Sequence, residues 1–106
     1  MSKNKITDLI VDAASDKILF KLISKDKIYT NEHENCRKNF DKFSILLMKF
    51  LTKKRHSLEK VRNVFINQGP GKYTSIRTSM ATIKALQLVY GFNYYGFNNK
   101  DVIGRD

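Results

Sequence analysis

Alternating apolar and polar positions in the first third of the chain predict three consecutive β-strands. The first is an apolar run from Thr7 to Ala14, which reads as a buried strand, and the second alternates from Lys17 to Ser24. The third, from Lys27 to Glu34, is more polar and is expected at or near an edge of the sheet. The short polar pairs between these runs are typical of tight turns, so the three strands should form an antiparallel meander.

Helical spacing of apolar residues follows the meander. The stretch from Asn39 to Arg55 carries one apolar stripe that we expect to pack on the sheet. The members of that stripe are Phe40, Phe43, Leu47, Phe50 and Leu51. Ile45 and Met48 lie off the stripe, where an isolated domain should be polar, and they are therefore candidate partner contacts.

The second half of the chain predicts a strand, a helix and a strand. The fourth strand runs from Val61 to Asn67 and should lie parallel to the first, because a helical crossover connects it to the meander. A helix from Ser75 to Tyr90 ends at Gly91, and a fifth strand spans Asn93 to Phe97. The polar tail 98–106 is expected to fray. The predicted order is βββαβαβ, an α/β fold with a mixed five-stranded sheet and two helices.

The second helix is apolar on two sides. One stripe is formed by Ile76, Met80, Ile83, Leu86 and Tyr90. A second stripe, roughly opposite, consists of Ala81, Ala85 and Leu88, and its small residues permit close approach of another helix. The sheet can cover only one of these sides. The other must be covered by the first helix or by another chain.

A tight loop, Gly-Pro-Gly-Lys-Tyr-Thr-Ser over residues 69–75, introduces this helix. Glycine permits backbone angles that a side chain would forbid, and the hydroxyl of Thr74 or Ser75 can cap the helix. The loop does not fit a Walker A phosphate loop, because Ile66 occupies the position of the first glycine and Tyr73 follows Lys72. Pro70 also lacks one of the N–H groups that would bind a phosphate. The pattern favours a tight turn that docks the helix on the sheet.

Residues 67–79 resemble the Gly-Pro-Gly-Ser-Phe-Thr-Gly-apolar-Arg-apolar-Gly signature of the TsaB (YeaZ) family. The positions that match outright are Gly69, Pro70, Gly71, Thr74 and Arg77, and Tyr73 stands in for the aromatic residue. Lys72, Ser75 and Ser79 depart from the signature, the last two replacing glycines. Residues 81–86 resemble the family's Ala-x-Ala-Lys-Gly-Leu run. The resemblance covers nearly the whole chain in layout, and residues 64–97 in recognisable sequence.

The resemblance implies an actin-like ATPase fold, also described as ribonuclease H-like. Family members usually carry two lobes, so residues 1–106 would be a single N-terminal lobe without the second. They are non-catalytic partners in bacterial tRNA threonylcarbamoyladenosine synthesis. The implied partner is a TsaD-like catalytic subunit, with a TsaE-like ATPase, a second copy of the chain and tRNA as further candidates. Nucleotide binds between two lobes in such ATPases, so we expect no independent ATPase activity and no cofactor.

The family's helical interface implies a set of contact residues in this chain. They are Ile45, Met48, Gly69, Pro70, Gly71, Tyr73, Thr74, Arg77, Ala81, Ala85 and Leu88. The loop would shape the edge of the interface, and Arg77 would lie on the first turn of the interface helix. Whether the dimer is formed with a second copy or with a different subunit stays open at this point.

The formal net charge of +10 is large for 106 residues. It indicates an acidic partner or nucleic acid, although a coding bias towards lysine would produce the same excess. The candidate nucleic-acid contacts are Lys53, Lys54, Arg55 and Lys72. A small basic RNA-binding module is therefore the first alternative function, and a phosphate-binding enzyme built on the Gly69 loop is the second.

Chemistry-bearing residues are sparse. Asp12 follows the first strand, where actin-like ATPases place an acidic residue, but no second carboxylate stands at a convincing spacing and a turn-forming role is favoured. His33 and His56 are far apart in sequence, and the single cysteine, Cys36, excludes an internal disulfide. We therefore expect neither a metal site nor an enzyme. No apolar run is long enough to span a bilayer, and a reduced, cytoplasmic protein is expected.

Overall fold

The computed structural model describes residues 6–98. Within them, five strands form one mixed sheet in the order β3-β2-β1-β4-β5. The strands are β1 Thr7–Asp12, β2 Lys17–Ser24, β3 Lys27–Glu34, β4 Val61–Asn67 and β5 Asn93–Phe97. The helices are α1 Arg37–Phe40, α2 Phe43–Lys53 and α3 Tyr73–Tyr90, and a 3₁₀ turn, Leu58–Lys60, precedes β4. The predicted tail 98–106 lies outside the described residues except for Asn98.

The sheet has the predicted connections. The first three strands pair antiparallel, whereas β1 pairs parallel with β4, and β4 parallel with β5. The helical crossover therefore makes β4 parallel to β1, as the sequence pattern predicts, and β3 is an edge strand. The βββαβαβ order is confirmed, with a short extra helix before α2.

Strand β1 ends two residues earlier than predicted. The side chain of Asp12 accepts a hydrogen bond from the backbone N–H of Ala14 at 3.0 Å, which turns the chain out of the sheet. This contact agrees with the turn-forming interpretation of Asp12.

The first predicted helix is broken, contrary to the expectation of one helix from Asn39 to Arg55. The side chain of Asn39 donates to the backbone oxygen of Glu34 at 2.7 Å and holds α1 against the end of β3. Phe43 is buried, with its ring centroid 5.4 Å from that of Phe20 in an edge-to-face arrangement. Because α1 is tied to the strand end and α2 to the core, the helix is interrupted between them.

One face of the sheet carries the hydrophobic core. Alternate strand residues such as Leu9, Phe20 and Ile66 are buried there with the predicted α2 stripe. The Phe20 ring also stacks on Phe50 at 6.0 Å, which places α2 over the β2 side of the sheet. Helix α3 contacts β4 and β5, so the two long helices lie side by side over the same face.

The opposite sheet face is not covered by any helix of residues 6–98. We refer to its apolar residues as the open sheet face; they are Ile10, Leu19, Ile23, Ile28, Phe65 and Tyr95. The rings of Phe65 and Tyr95 stack on each other at 5.3 Å. The prediction of a buried first strand is therefore wrong for one face, because Ile10 is only half-buried.

Helix α3 begins two residues before the predicted start. Lys72 precedes its first turn, and no side chain of the described part of the chain caps it, so the predicted cap by Thr74 or Ser75 is wrong. Both residues already lie inside the helix. At the other end, Gly91 adopts the left-handed conformation (φ +73°) and its N–H donates to Gln87 at 2.8 Å, which confirms the predicted stop.

Among the helices of the described residues, none is long and apolar enough to cross a membrane.

Candidate protein-interaction site

The loop between β4 and α3 is shaped by Gly69. This residue has φ +99°, a backbone conformation that strains any other residue, and its peptide bond to Pro70 is cis. The N–H of Gly69 donates to the side-chain oxygen of Asn67 at 2.8 Å, and both residues are buried. The predicted tight corner is therefore present and held from the end of β4.

The second glycine of the loop allows a close approach to β1. A Cβ atom on Gly71 would overlap the backbone oxygen of Ala14. That same oxygen accepts the N–H of Lys72 at 2.9 Å. The start of α3 is thus docked against the end of the central strand, as the tight-turn interpretation requires.

A buried amide, Asn35, completes this anchor. Its Nδ2 donates to the backbone oxygens of Ala13 (2.9 Å) and Ser15 (2.6 Å), and its Oδ1 accepts the hydroxyl of Ser75 at 2.6 Å. One side chain therefore joins the ends of β1 and β3 to the first turn of α3. Sequence reasoning missed Asn35, because a single polar residue after an edge strand gives no periodic signal.

The two serines that replace family glycines are both buried. Ser79 donates its hydroxyl to the backbone oxygen of Ile76 at 2.9 Å, and Ser75 bonds to Asn35. Each is small enough to keep α3 close to its neighbours and has its hydroxyl paired. These departures from the signature therefore preserve the close packing that glycine would permit.

The second apolar side of α3 is exposed. We call it the outer α3 face; its residues are Tyr73, Arg77, Ala81, Ala85, Leu88 and Val89. Leu88 is 88% exposed, Val89 73% and Tyr73 69%. Since all six residues are exposed, α2 does not cover them. Of the two predicted covers for this side of α3, the first helix is therefore excluded. Val89 was missed, although it follows Ala85 by four residues and so continues the Ala81–Ala85 stripe at helical spacing.

The first turn of this face is ordered by a pair of side chains. Arg77 donates through Nη1 to the hydroxyl of Tyr73 at 3.1 Å, and its guanidinium carbon lies 5.4 Å from the centre of the ring. A cation over an aromatic face is favourable even at exposed sites. This pair presents a planar, partly apolar surface at the start of α3.

Ile45 and Met48 are not part of the outer α3 face. Both line a groove of about 590 Å³ between α2 and the edge strand β3, at the opposite end of the sheet from β5. The structure thus separates the predicted contact residues into two surfaces, one on α3 with its loop and one on α2.

The predicted basic residues also occupy two places. Lys53, Lys54 and Arg55 are exposed at the end of α2, where the ammonium of Lys54 lies 5.3 Å from the centre of the Tyr29 ring. Lys72 precedes α3, donates to the backbone oxygen of Asn35 at 3.2 Å and lies 3.9 Å from the Asp16 carboxylate. Its charge therefore helps to hold the loop.

Tyr94 lies beneath α3 on the helix side of β5. The ammonium of Lys84 is 5.5 Å from the centre of its ring. Burial raises the pKa of the Tyr94 hydroxyl, and the neighbouring Gln68 side chain acts in the opposite direction. The phenol is therefore neutral at physiological pH and adds no charge beside α3.

Within residues 6–98, no three histidine, cysteine, aspartate or glutamate side chains lie close enough to hold a metal ion. His33 instead lies with its ring 6.2 Å from Phe20, and His56 lies 5.8 Å from Tyr29. Cys36 is a partly buried free thiol immediately before α1. This part of the chain therefore presents candidate interaction surfaces and not a cluster of reactive side chains.

The fold is shared with known structures. YeaZ from Pseudomonas aeruginosa superimposes with a TM-score of 0.80 at 15% sequence identity, over 88% of this chain and 44% of that protein. RuvC from T. thermophilus superimposes with a TM-score of 0.62 at 7% identity, over 92% of this chain and 67% of RuvC. The chain therefore folds as a ribonuclease H-like, or actin-like ATPase, lobe.

Sequence comparison narrows this class. The tRNA threonylcarbamoyladenosine biosynthesis protein TsaB of Buchnera aphidicola (subsp. Schizaphis graminum, strain Sg) is 26% identical over 98 residues, 92% of this chain and 46% of that protein. No family model matches the chain. Sequence and fold together confirm the predicted resemblance: the chain is similar to TsaB (YeaZ) in both. It spans about half the length of the curated relative that it matches.

Proposed function

We propose that this chain is a non-catalytic scaffold subunit in tRNA threonylcarbamoyladenosine synthesis, and that it binds a TsaD-like catalytic subunit through the outer α3 face. The observation that carries the proposal is the exposure of Leu88 and Val89 on a well-formed helix of a TsaB-like lobe. The relative's role in tRNA threonylcarbamoyladenosine biosynthesis supplies the process.

The energetics favour a protein partner for this face. Burying one large aliphatic side chain such as Leu88 contributes about 2 kcal/mol, and Val89 and the Tyr73 ring extend the same apolar surface. Ala81 and Ala85 lie between them and permit a close helix–helix contact, since neither side chain projects far from the backbone. A partner helix laid along α3 would cover this surface.

The mechanism proposed is conformational. Asn35 and the Gly71 contact fix the first turn of α3 to the sheet, so the outer α3 face is presented as a rigid surface. A rigid surface costs little ordering entropy on binding and can stabilise one conformation of its partner. The chain supplies no chemical group to the reaction in this account, and no ATPase activity of its own.

We further propose that the outer α3 face is occupied by a TsaD-like subunit, with a second copy of the chain as the competing occupant and a TsaE-like ATPase as a further member of the assembly. A cytoplasmic setting agrees with a tRNA substrate and with a single free cysteine.

The test is binding to the TsaD-like protein of the same organism, measured by titration calorimetry and by light scattering after size exclusion. We expect a one-to-one complex that Leu88→Asp weakens more than tenfold, because a charge would be buried in an apolar contact. Met48→Asp is the matched control, since Met48 is also exposed but lies in the groove beside β3. It should leave the complex unchanged.

Circular dichroism should show that both variants remain folded. A strict monomer at high concentration that does not bind the TsaD-like protein would reject the proposal. A homodimer lost on Leu88→Asp, without binding to the TsaD-like protein, would retain the surface but reject the partner.

A basic RNA-binding module is the second candidate, favoured by the net charge of +10 and by the exposed cluster Lys53, Lys54 and Arg55 at the end of α2. The two functions differ in their solution behaviour. An RNA-binding module binds RNA alone, whereas the scaffold binds its protein partner firmly and RNA weakly.

A further inference from the structure

We propose that the groove between α2 and β3 binds an extended acidic segment of a partner protein, which pairs with β3 as a sixth strand of the sheet. The α2–β3 groove is defined by Asn31, His33, Ile45, Met48, Lys49 and Lys53. This inference goes beyond the proposed scaffold function and uses a different surface from the outer α3 face.

The first support is the free edge of β3. This strand of eight residues pairs with β2 along its whole length, and no strand of residues 6–98 pairs with its other side. Every second residue of an edge strand turns its N–H and C=O groups outward, where they are available to an added strand. Strand addition to such an edge is a recurrent mode of peptide recognition.

The second support is the shape of the groove. Helix α2 forms one wall and contributes Ile45, which is 53% exposed, and Met48, which is 38% exposed. Asn31 and His33 project from β3 into the same space. Side chains from alternate residues of an added strand would lie beneath α2 in this space of about 590 Å³.

The third support is an unpaired acceptor. The side-chain oxygen of Asn31 is buried and has no hydrogen-bond partner among residues 6–98. Buried polar atoms are rarely left in this state, because each has lost its hydrogen bonds to water without replacing them. A hydroxyl or amide donor on the bound segment would pair with this oxygen, so a purely aliphatic occupant fits less well.

The positive charge of the groove favours an acidic partner. Lys49 and Lys53 line the groove in a chain of net charge +10, so an acidic segment is attracted. The same charge opposes a second copy, which would bring lysines against lysines. Glu32 and Glu34 alternate with the groove-facing residues of β3 and lie on its other face. Acidic side chains of the segment are therefore expected at its groove-facing positions only.

The experiment uses a phage-displayed library of random eight-residue peptides, selected on the full chain at low salt. We expect enrichment of sequences that alternate apolar or acidic residues with other residues, including one hydroxyl or amide side chain. The affinity of the best peptide is then measured by fluorescence anisotropy. Two versions of this peptide carry backbone N-methyl groups, one at the odd positions and the other at the even positions. Only one version should lose binding, because only every second N–H group of an added strand faces β3.

Variants locate the site. Lys49→Glu combined with Lys53→Glu should weaken the peptide about tenfold at low salt. Met48→Asp should abolish binding, and Asn31→Leu should weaken peptides that carry the hydrogen-bond donor while the protein stays folded. Leu88→Asp is the matched control on the other surface and should leave peptide affinity unchanged.

Failure to enrich any peptide would overturn the proposal. So would enrichment at helical spacing, equal tolerance of both N-methylated versions, or a homodimer that Met48→Asp dissociates, since each of these outcomes indicates a different occupant or none.

Discussion

Asn35 determines how α3 is attached to the sheet. Its amide makes three side-chain hydrogen bonds, to Ala13, Ser15 and Ser75, and its backbone N–H donates to Asp16 at 2.9 Å. An amide is suited to this position because it offers two donors and an acceptor in one plane. Neither a carboxylate nor a hydroxyl could make the same set of bonds.

We expect Asn35→Ala to lower the free energy of unfolding by about 2–4 kcal/mol, because it leaves buried carbonyl groups and the Ser75 hydroxyl without partners. Urea denaturation followed by circular dichroism measures this change. Asn39→Ala is the matched control, since Asn39 makes one exposed hydrogen bond, to Glu34, and its loss should cost under about 1 kcal/mol. Equal losses in the two variants would show that Asn35 is not the anchor.

At the level of elements, the sequence pattern predicted the sheet well. The bounds of β2, β3, β4 and β5 agree with the predicted ones, because strict alternation and polar turns fix a strand locally. The helical crossover then correctly predicted that β4 runs parallel to β1. The errors occur where a tertiary contact competes with a local signal: Asn35 takes the Ser75 hydroxyl, and Asn39 interrupts the first helix.

The candidate surfaces were predicted less completely. The second apolar side of α3 was visible in the periodicity of Ala81, Ala85 and Leu88, whereas the separation of Ile45 and Met48 from it was not. The helical period shows that a residue lies off the core stripe. It does not show which neighbouring element that side of the helix faces.

Substitutions of the buried residue Ser79 test how closely α3 must approach its neighbours. We expect Ser79→Leu to lower the free energy of unfolding by about 2–3 kcal/mol, since the site is fully buried and overpacking forces the helix outward. Ser79→Ala is the control and should cost less than about 1 kcal/mol, because the hydroxyl donates to the backbone oxygen of Ile76 in its own helix. Thermal or urea unfolding of both variants measures the difference, and similar stabilities would show that the packing is loose.

For the whole molecule, the net charge of +10 has a testable consequence. We expect the isolated chain to bind tRNA only weakly, with an affinity that falls at least about tenfold between about 50 and 200 mM salt, because the contacts are electrostatic. Filter binding or fluorescence anisotropy at several salt concentrations measures this. The combined Lys53→Glu and Lys54→Glu variant should reduce the salt slope, while Leu88→Asp should not.

Tight binding to tRNA that persists at high salt would contradict the scaffold proposal and favour the RNA-binding module. Firm binding to a TsaD-like subunit together with weak, salt-sensitive tRNA binding would favour the scaffold.

The open sheet face has a thermodynamic consequence for the chain on its own. Ile10, Leu19 and Phe65 remain partly hydrated in the native state, so less apolar surface is newly exposed when the chain denatures. The heat-capacity increment of unfolding and the dependence of its free energy on urea both scale with that newly exposed surface. Both quantities should therefore fall below the values typical of a globular protein of this length, and both should rise when another polypeptide covers the face.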